Sequence, residues 1–265
     1  MAMPMSDSTY FSLNQQAWDE RAKVHFDSQF YDVPGFMQGN SSLTEIESAE
    51  LSEIEVRGKS MLHLQCHFGL DSLSWARLGA KVTGVDFSAP AIEKARELNQ
   101  ALNLDAQFIC SDVYSYGETA KTEFDLVFTS FGTICWLPCI DTWAQVVANS
   151  LKSGGIFYMA EFHPIRDFLA GESYFHAPAP YVYDEGTYTE NGAGHEASMA
   201  SWSHPLSRVI TALIDAGIKI DKVSEFPFSP YDCFEGLEQR EPKRFSLWIG
   251  THALPLVYSI KGTKI

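Results

Sequence analysis

From residue 60 to residue 161 the chain alternates short apolar runs with amphipathic stretches, the pattern of parallel strands joined by covering helices. Residues 61–65 are apolar with a polar exit, 70–78 suit a helix, and 81–85 alternate into Asp86. Ser88 is placed to cap a helix over 89–102, where Ala91, Ile92, Ala95, Leu98 and Leu102 form one stripe. Strands are predicted at 106–110, 124–129 and 156–161, and a helix at 142–151 ahead of Gly154 and Gly155.

The flanks follow a different rhythm. The first seven residues read as a loose tail and 14–26 as a helix with Ala17, Trp18, Ala22 and Val24 available for packing. Residues 30–40, with Pro34 and Gly35, read as a loop, and 42–56 as an acidic helix. From 164 to about 201 the composition turns to Tyr, His, Pro and Gly, which predicts an inserted cap. A helix at 203–216 ending at Gly217, a strand at 218–228 and a last strand within 254–265 complete the chain. The expected organisation is a helical extension or lid over 1–57 and one domain over 58–265, with the cap inserted at about 164–201.

Composition narrows the partners. A net charge of -15 disfavours nucleic acid and anionic membrane surfaces, whose affinity comes from Lys and Arg neutralising phosphates. Five cysteines without C-x-x-C spacing, no charged-then-apolar leader and no apolar run of about 18 residues suggest a reduced, cytoplasmic protein. Cys135, Cys139 and His163 lack the usual ligand spacing, so no metal is assigned.

The candidate chemistry sits where the first two strands end. In an open parallel sheet a ligand lies across the strands' carboxyl ends, so the loop after the first strand and Asp86 after the second converge on one crevice. Asp86 can accept hydrogen bonds from a ribose diol; a solvated strand-end aspartate is the plainer reading. The loop QCHFGLD lacks the G-x-G-x-x-G spacing that lets backbone close on a pyrophosphate, which disfavours a dinucleotide oxidoreductase.

The segment SMLHLQCHFGLDSLSWARLGAKVTGVDFS resembles motif I and the following acidic strand end of class I S-adenosylmethionine-dependent methyltransferases, in a bacterial subgroup with an LQCHFG variant. The family's usual form is an acidic residue, an apolar residue, then G-C-G-x-G. Here His63 takes the acidic position, Gln65 and His67 take two glycine positions, and Cys66 and Gly69 match. The resemblance implies an α/β fold with a doubly wound, seven-stranded, mostly parallel sheet and an antiparallel tail. It also implies S-adenosylmethionine as cofactor and a small-molecule O, N or S acceptor. A protein that binds the cofactor without turnover is the competing reading, since binding and catalysis are separable on one fold.

On that resemblance the cofactor residues are Gln65, Cys66, His67, Gly69, Asp86, Phe87, Ser88, Asp112, Val113, Ser130 and Phe131. The backbone at Cys66 and His67 would meet the methionine portion, Phe87 would stack beside the adenine, and Val113 would offer its N–H to the ring. Cys66 also reads as packing, His67 as a capping residue, and Ser88 and Asp112 as helix caps. Trp136, Tyr183 and His204 are assigned to the acceptor pocket; the plainer readings are a core anchor for Trp136, cap packing for Tyr183 and a helix start for His204. Tyr10, Tyr31 and Tyr181 are available for a lid. His163, after the fifth strand, is the candidate general base, unless the Pro164 turn merely fixes it.

Overall fold

The computed structural model describes residues 5–265, the side chains of 5–8 excepted. Three helices come first: α1 (Met5–Phe26), α2 (Val33–Met37) and α3 (Glu45–Glu50). Alternating units follow: β1 (Ser60–Leu64), α4 (Leu70–Arg77), β2 (Lys81–Asp86), α5 (Ala89–Ala101), β3 (Gln107–Cys110), α6 (Val113–Thr119), β4 (Phe124–Ser130), α7 (Ile140–Asn149) and β5 (Leu151–Phe162). An insertion holds α8 (Ile165–Leu169), β6 (Tyr181–Glu185) and β7 (Ala197–Ser201), and α9 (Leu206–Asp215) and β8 (Ile218–Phe226) follow it. A second insertion carries the short strands β9 (Glu238–Glu241), β10 (Arg244–Ser246), β11 (Trp248–Ile249) and β12 (His252–Ala253) before the final β13 (Val257–Lys264).

Seven strands form the main sheet in the order β3-β2-β1-β4-β5-β13-β8. The first five are parallel, and β13 runs antiparallel between β5 and β8. Because side chains alternate across a strand, Met61, Leu126, Phe128 and Tyr158 pack on one face with Leu73, Ile92 and Ala95. Leu62, Leu64, Val127 and Phe157 pack on the other with Trp143, Val147 and Leu213. Both faces are covered, which is why these strands read as continuous apolar runs. The strand order reverses between β1 and β4, and there the carboxyl ends open a crevice.

Several expectations change in the flanks. The predicted tail over residues 1–7 lies partly outside the described residues, and from Met5 the chain is already helical. Pro34 and Gly35 do not make a loop: Pro34 occupies the first helical turn of α2, and Asp32 accepts from Gly35 N. The acidic helix expected over 42–56 is confined to α3, capped by Thr44. The strands of the second insertion and helix α6 were not foreseen.

The cover is tied together across long sequence separations. Asn14 of α1 reads the backbone of Ala200 on β7 in both directions, each bond 2.8 Å, and so joins the N-terminal helix to the first insertion.

Candidate active site

The loop after β1 keeps a glycine-type backbone without the glycines. Gln65 and His67, at the two family glycine positions, have φ of 57° and 50°, and Gly69 has φ of 80°. Left-handed backbone costs a non-glycine residue about 1–2 kcal/mol, so the surroundings must hold Gln65 and His67 in place. Gly69 itself is sterically required: a Cβ there would lie 2.7 Å from the Phe108 ring. Cys66 is buried beneath the loop, and burial pushes its thiol well above the ordinary value, which fits packing.

Side-chain contacts brace the loop. Phe68 N donates to His67 Nδ1 (2.7 Å), which leaves His67 Nε2 to carry the proton toward His25 Nδ1 at 3.1 Å. His25 Nε2 then meets the Thr187 hydroxyl of the first insertion. Burial lowers His67 to about 3, helped by Arg21, and lowers His25 to about 2, helped by His67 and Arg21. Both imidazoles are neutral at pH 7, as this directed chain requires. Gln65 Nε2 donates to Thr133 O (2.8 Å), while its Oε1 is buried without a protein partner.

Asp86 lies 8% exposed at the end of β2 and accepts from His67 N (2.8 Å) and Ser88 N (2.9 Å), one bond to each oxygen. Burial raises its carboxyl to about 6 despite those bonds, and Asp19 adds to the rise. Phe87 N also favours its charged form, and the carboxylate's four acceptor positions still leave room for a further donor.

A cavity of 1090 Å³ opens over these strand ends, enough for a nucleoside-sized ligand and a second small molecule. It gathers Gln65, Cys66, His67, Gly69, Asp86, Phe87, Asp112, Val113, Ser130 and Phe131 on the floor, with Trp136, Tyr183 and His204 on the walls. Asp112 doubles as the cap of α6, since its Oδ1 accepts from Tyr114 N and Ser115 N. Trp136 donates its indole N–H to Gly132 O (2.7 Å) and meets Trp18 edge-on. Burial lowers His204 to about 4 and leaves it neutral, against the opposing pull of its Leu137 O partner.

Two assignments do not fit this arrangement. Ser88 is absent from the cavity wall and caps α5 through Ala91 N. His163 is likewise outside the wall: Nδ1 accepts from Ile165 N, and Nε2 lies 3.0 Å from Glu225 on β8. The β8–β13 pairing draws this side chain away from the crevice, so His163 is no base for a ligand there. Its neighbour Glu161 instead organises the site, accepting from Gly132 N, Thr133 N (2.8 Å) and Ile134 N (3.1 Å), and so fixing the loop after β4. Sequence reasoning also missed Asp71, Tyr188 and Tyr231 on the cavity wall. Among the described residues, no three His, Cys, Asp or Glu side chains cluster as metal ligands, and no helix is long and apolar enough to cross a membrane.

Residues 61–155 match the family model described as a methyltransferase domain. The segment from β1 to the start of β5 is therefore similar to a methyltransferase domain. A ubiquinone biosynthesis O-methyltransferase of Coxiella burnetii (strain Dugway 5J108-111) is 27% identical over 57% of this chain and 64% of its own length. Its counterpart in Xanthomonas euvesicatoria pv. vesicatoria (strain 85-10) is 24% identical over 77% and 81%. This chain therefore spans less than two thirds of the first of these relatives. Among solved structures, an S-adenosylmethionine-dependent methyltransferase from Clostridium acetobutylicum ATCC 824 superposes with a TM-score of 0.58 at 12% identity, covering 95% of this chain and 98% of its own. One from Mesorhizobium loti gives 0.55 at 18%, covering 86% and 100%. These two share the fold.

The residues gathered at this site fit S-adenosylmethionine. The orphaned Gln65 oxygen suits an ammonium donor, and the open lone pairs of Asp86 suit ribose hydroxyls.

Proposed function

We propose that this chain transfers a methyl group from S-adenosylmethionine to a small-molecule nucleophile. The observation that carries the proposal is the convergence of the β1 loop, Asp86 and Asp112 on one covered cavity with room for a second ligand. When bound, the cofactor supplies an activated methyl on a positively charged sulfur. The protein's part is to hold donor and acceptor at attack distance and to exclude water, the effect that dominates when no covalent intermediate is needed.

On this reading Gln65 to Gly69 hold the methionine portion, with Arg21 facing its carboxylate from α1. Asp86 takes the ribose hydroxyls, while Asp112 and Val113 border the adenine. The loop Ser130 to Trp136, fixed by Glu161, lines the passage to the acceptor. Helix α1 and the two insertions close the top; Asn14 and the His25–Thr187 contact join α1 to the first insertion, and His25–His67 joins this cover to the floor. The acidic balance of the chain supports a small acceptor in place of nucleic acid. The absence of any disulfide among its cysteines accords with a reducing compartment.

The test is turnover. Protein incubated with methyl-labelled S-adenosylmethionine and a bacterial metabolite extract should yield a labelled small molecule together with S-adenosylhomocysteine in equal amounts. Tight cofactor binding with no label transferred to any extract component would favour the non-catalytic alternative.

A further inference from the structure

Asp71 is a carboxylate on the cavity wall that the cofactor assignment leaves without work. It stands in the first turn of α4, where its Oδ1 accepts from the Ser42 hydroxyl (2.6 Å) and its Oδ2 from the Ser130 hydroxyl (3.0 Å). His63 Nε2 lies 3.3 Å behind Ser130, and Ser72 lies 2.8 Å from His63 Nδ1. Burial lowers His63 to about 3, so the ring is neutral. The directed reading runs from the Ser72 hydroxyl to Nδ1, from Nε2–H to Ser130, and from the Ser130 hydroxyl to Asp71. Every member points its hydrogen toward the carboxylate, yet no Lys or Arg pairs with it among the described residues.

Rings from separate segments line the same cavity as Asp71, and two of them, Tyr31 and Tyr231, feel its charge. Tyr31 precedes α2, Tyr188 belongs to the first insertion, Tyr231 to the second, and Phe131 follows β4; all four line the cavity. The Tyr31 and Tyr188 hydroxyls meet at 2.5 Å, and the Phe131 and Tyr231 rings meet edge-on at 5.2 Å. Burial keeps the Tyr31 and Tyr231 phenols protonated, and the Asp71 charge reinforces this. A part-buried carboxylate that shares a cavity with aromatic rings and has no paired cation is a setting that attracts one. Its place is on the acceptor side: Ser130 ends β4, and the ribose site at Asp86 lies across β1 on the β2 side.

We infer that the methyl acceptor carries a positively charged nitrogen, bound between Asp71 and the wall formed by Tyr31, Tyr188, Tyr231 and Phe131. The inference rests on the proposed transfer reaction, because it assigns the remaining part of the same cavity. Asp71 then acts as the anionic anchor and the rings as an aromatic wall, in which Tyr31, Tyr231 and Phe131 are half-buried and Tyr188 is exposed.

The test uses two probes of equal shape, choline and its uncharged carbon analogue 3,3-dimethylbutan-1-ol, titrated by saturation-transfer NMR into the protein with and without saturating S-adenosylhomocysteine. Choline should bind about tenfold or more tighter than the neutral analogue. Asp71→Asn should remove most of that preference, leaving the affinities for the neutral analogue and for S-adenosylhomocysteine within about twofold. Tyr231→Leu should weaken choline while Tyr231→Phe retains it, so the inference stands or falls even if the Asp71 variant does not fold. Equal binding of the two probes, or an Asp71→Asn variant that keeps the preference, overturns it. Loss of S-adenosylhomocysteine affinity in Asp71→Asn also overturns it and hands Asp71 to the cofactor. Failure of the wild-type protein to bind S-adenosylhomocysteine counts against the transfer reaction, whereas discrimination between the probes is read separately on the free protein.

Discussion

The raised Asp86 carboxyl makes cofactor affinity depend on pH in a calculable way. Burial holds its pKa near about 6 in the free protein, and two ribose hydroxyls donating to the carboxylate would favour the ionised form. If only that form binds, the apparent Kd is multiplied by one plus ten to the power (pKa minus pH): about 11 at pH 5 and about 1.1 at pH 7. S-adenosylhomocysteine should therefore bind about tenfold more tightly at pH 7 than at pH 5. Calorimetric titration in buffers of different ionisation enthalpy should also count about 0.9 proton released at pH 5 and about 0.1 at pH 7. Asp86→Asn should abolish both trends and cost about 1.5–3 kcal/mol of affinity at pH 7. A flat pH profile with no proton release, or an unaltered Kd in the variant, refutes the placement of the ribose on Asp86.

Other consequences concern stability and rate. Glu47, raised to about 8, binds its proton more tightly folded than unfolded, so its contribution to stability is present below about 4.5 and lost as pH rises through 8. Glu47→Gln should therefore gain on wild type by up to a few kcal/mol between pH 5 and pH 8.5 in denaturant unfolding; a pH-independent difference contradicts this. His25, lowered to about 2, has the opposite sign: the unfolded chain takes up its proton below about 6.5, so stability falls as pH falls. His25→Phe should flatten the slope between pH 6 and pH 4 by about 1 kcal/mol per pH unit, and a slope as steep as wild type would count against the neutral pair. His163→Ala should leave the single-turnover rate within about threefold of wild type while lowering the melting temperature, and a loss of about 100-fold would return the base to His163.

The central units were legible because propensity, periodicity and tertiary context agree there. Strands β1, β2 and β4 begin and end within a residue of their apolar runs, and Ser88 caps α5 as its position predicts. The glycine substitutions in motif I concealed how closely the loop keeps a left-handed path, since Gln65 and His67 are held by Thr133 and His25 from distant segments. His163 misled for a related reason. A position after β5 faces a crevice by topology alone, but Glu225, 62 positions later, pairs with the side chain across the antiparallel edge. Asp71 was visible only as an acidic residue in a helix's first turn. Its isolation from cations depends on Ser42, Ser130 and three tyrosines that only the folded chain assembles.

A crystal structure of the protein with S-adenosylhomocysteine tests the central claim most directly. The account predicts ribose hydroxyls within hydrogen-bond distance of both Asp86 oxygens, the homocysteine portion along Gln65 to Gly69, and the sulfur facing the Ser130 to Gly132 loop, with the space beside Asp71 left open. A ligand lodged elsewhere, or one whose ribose leaves Asp86 untouched, would contradict it.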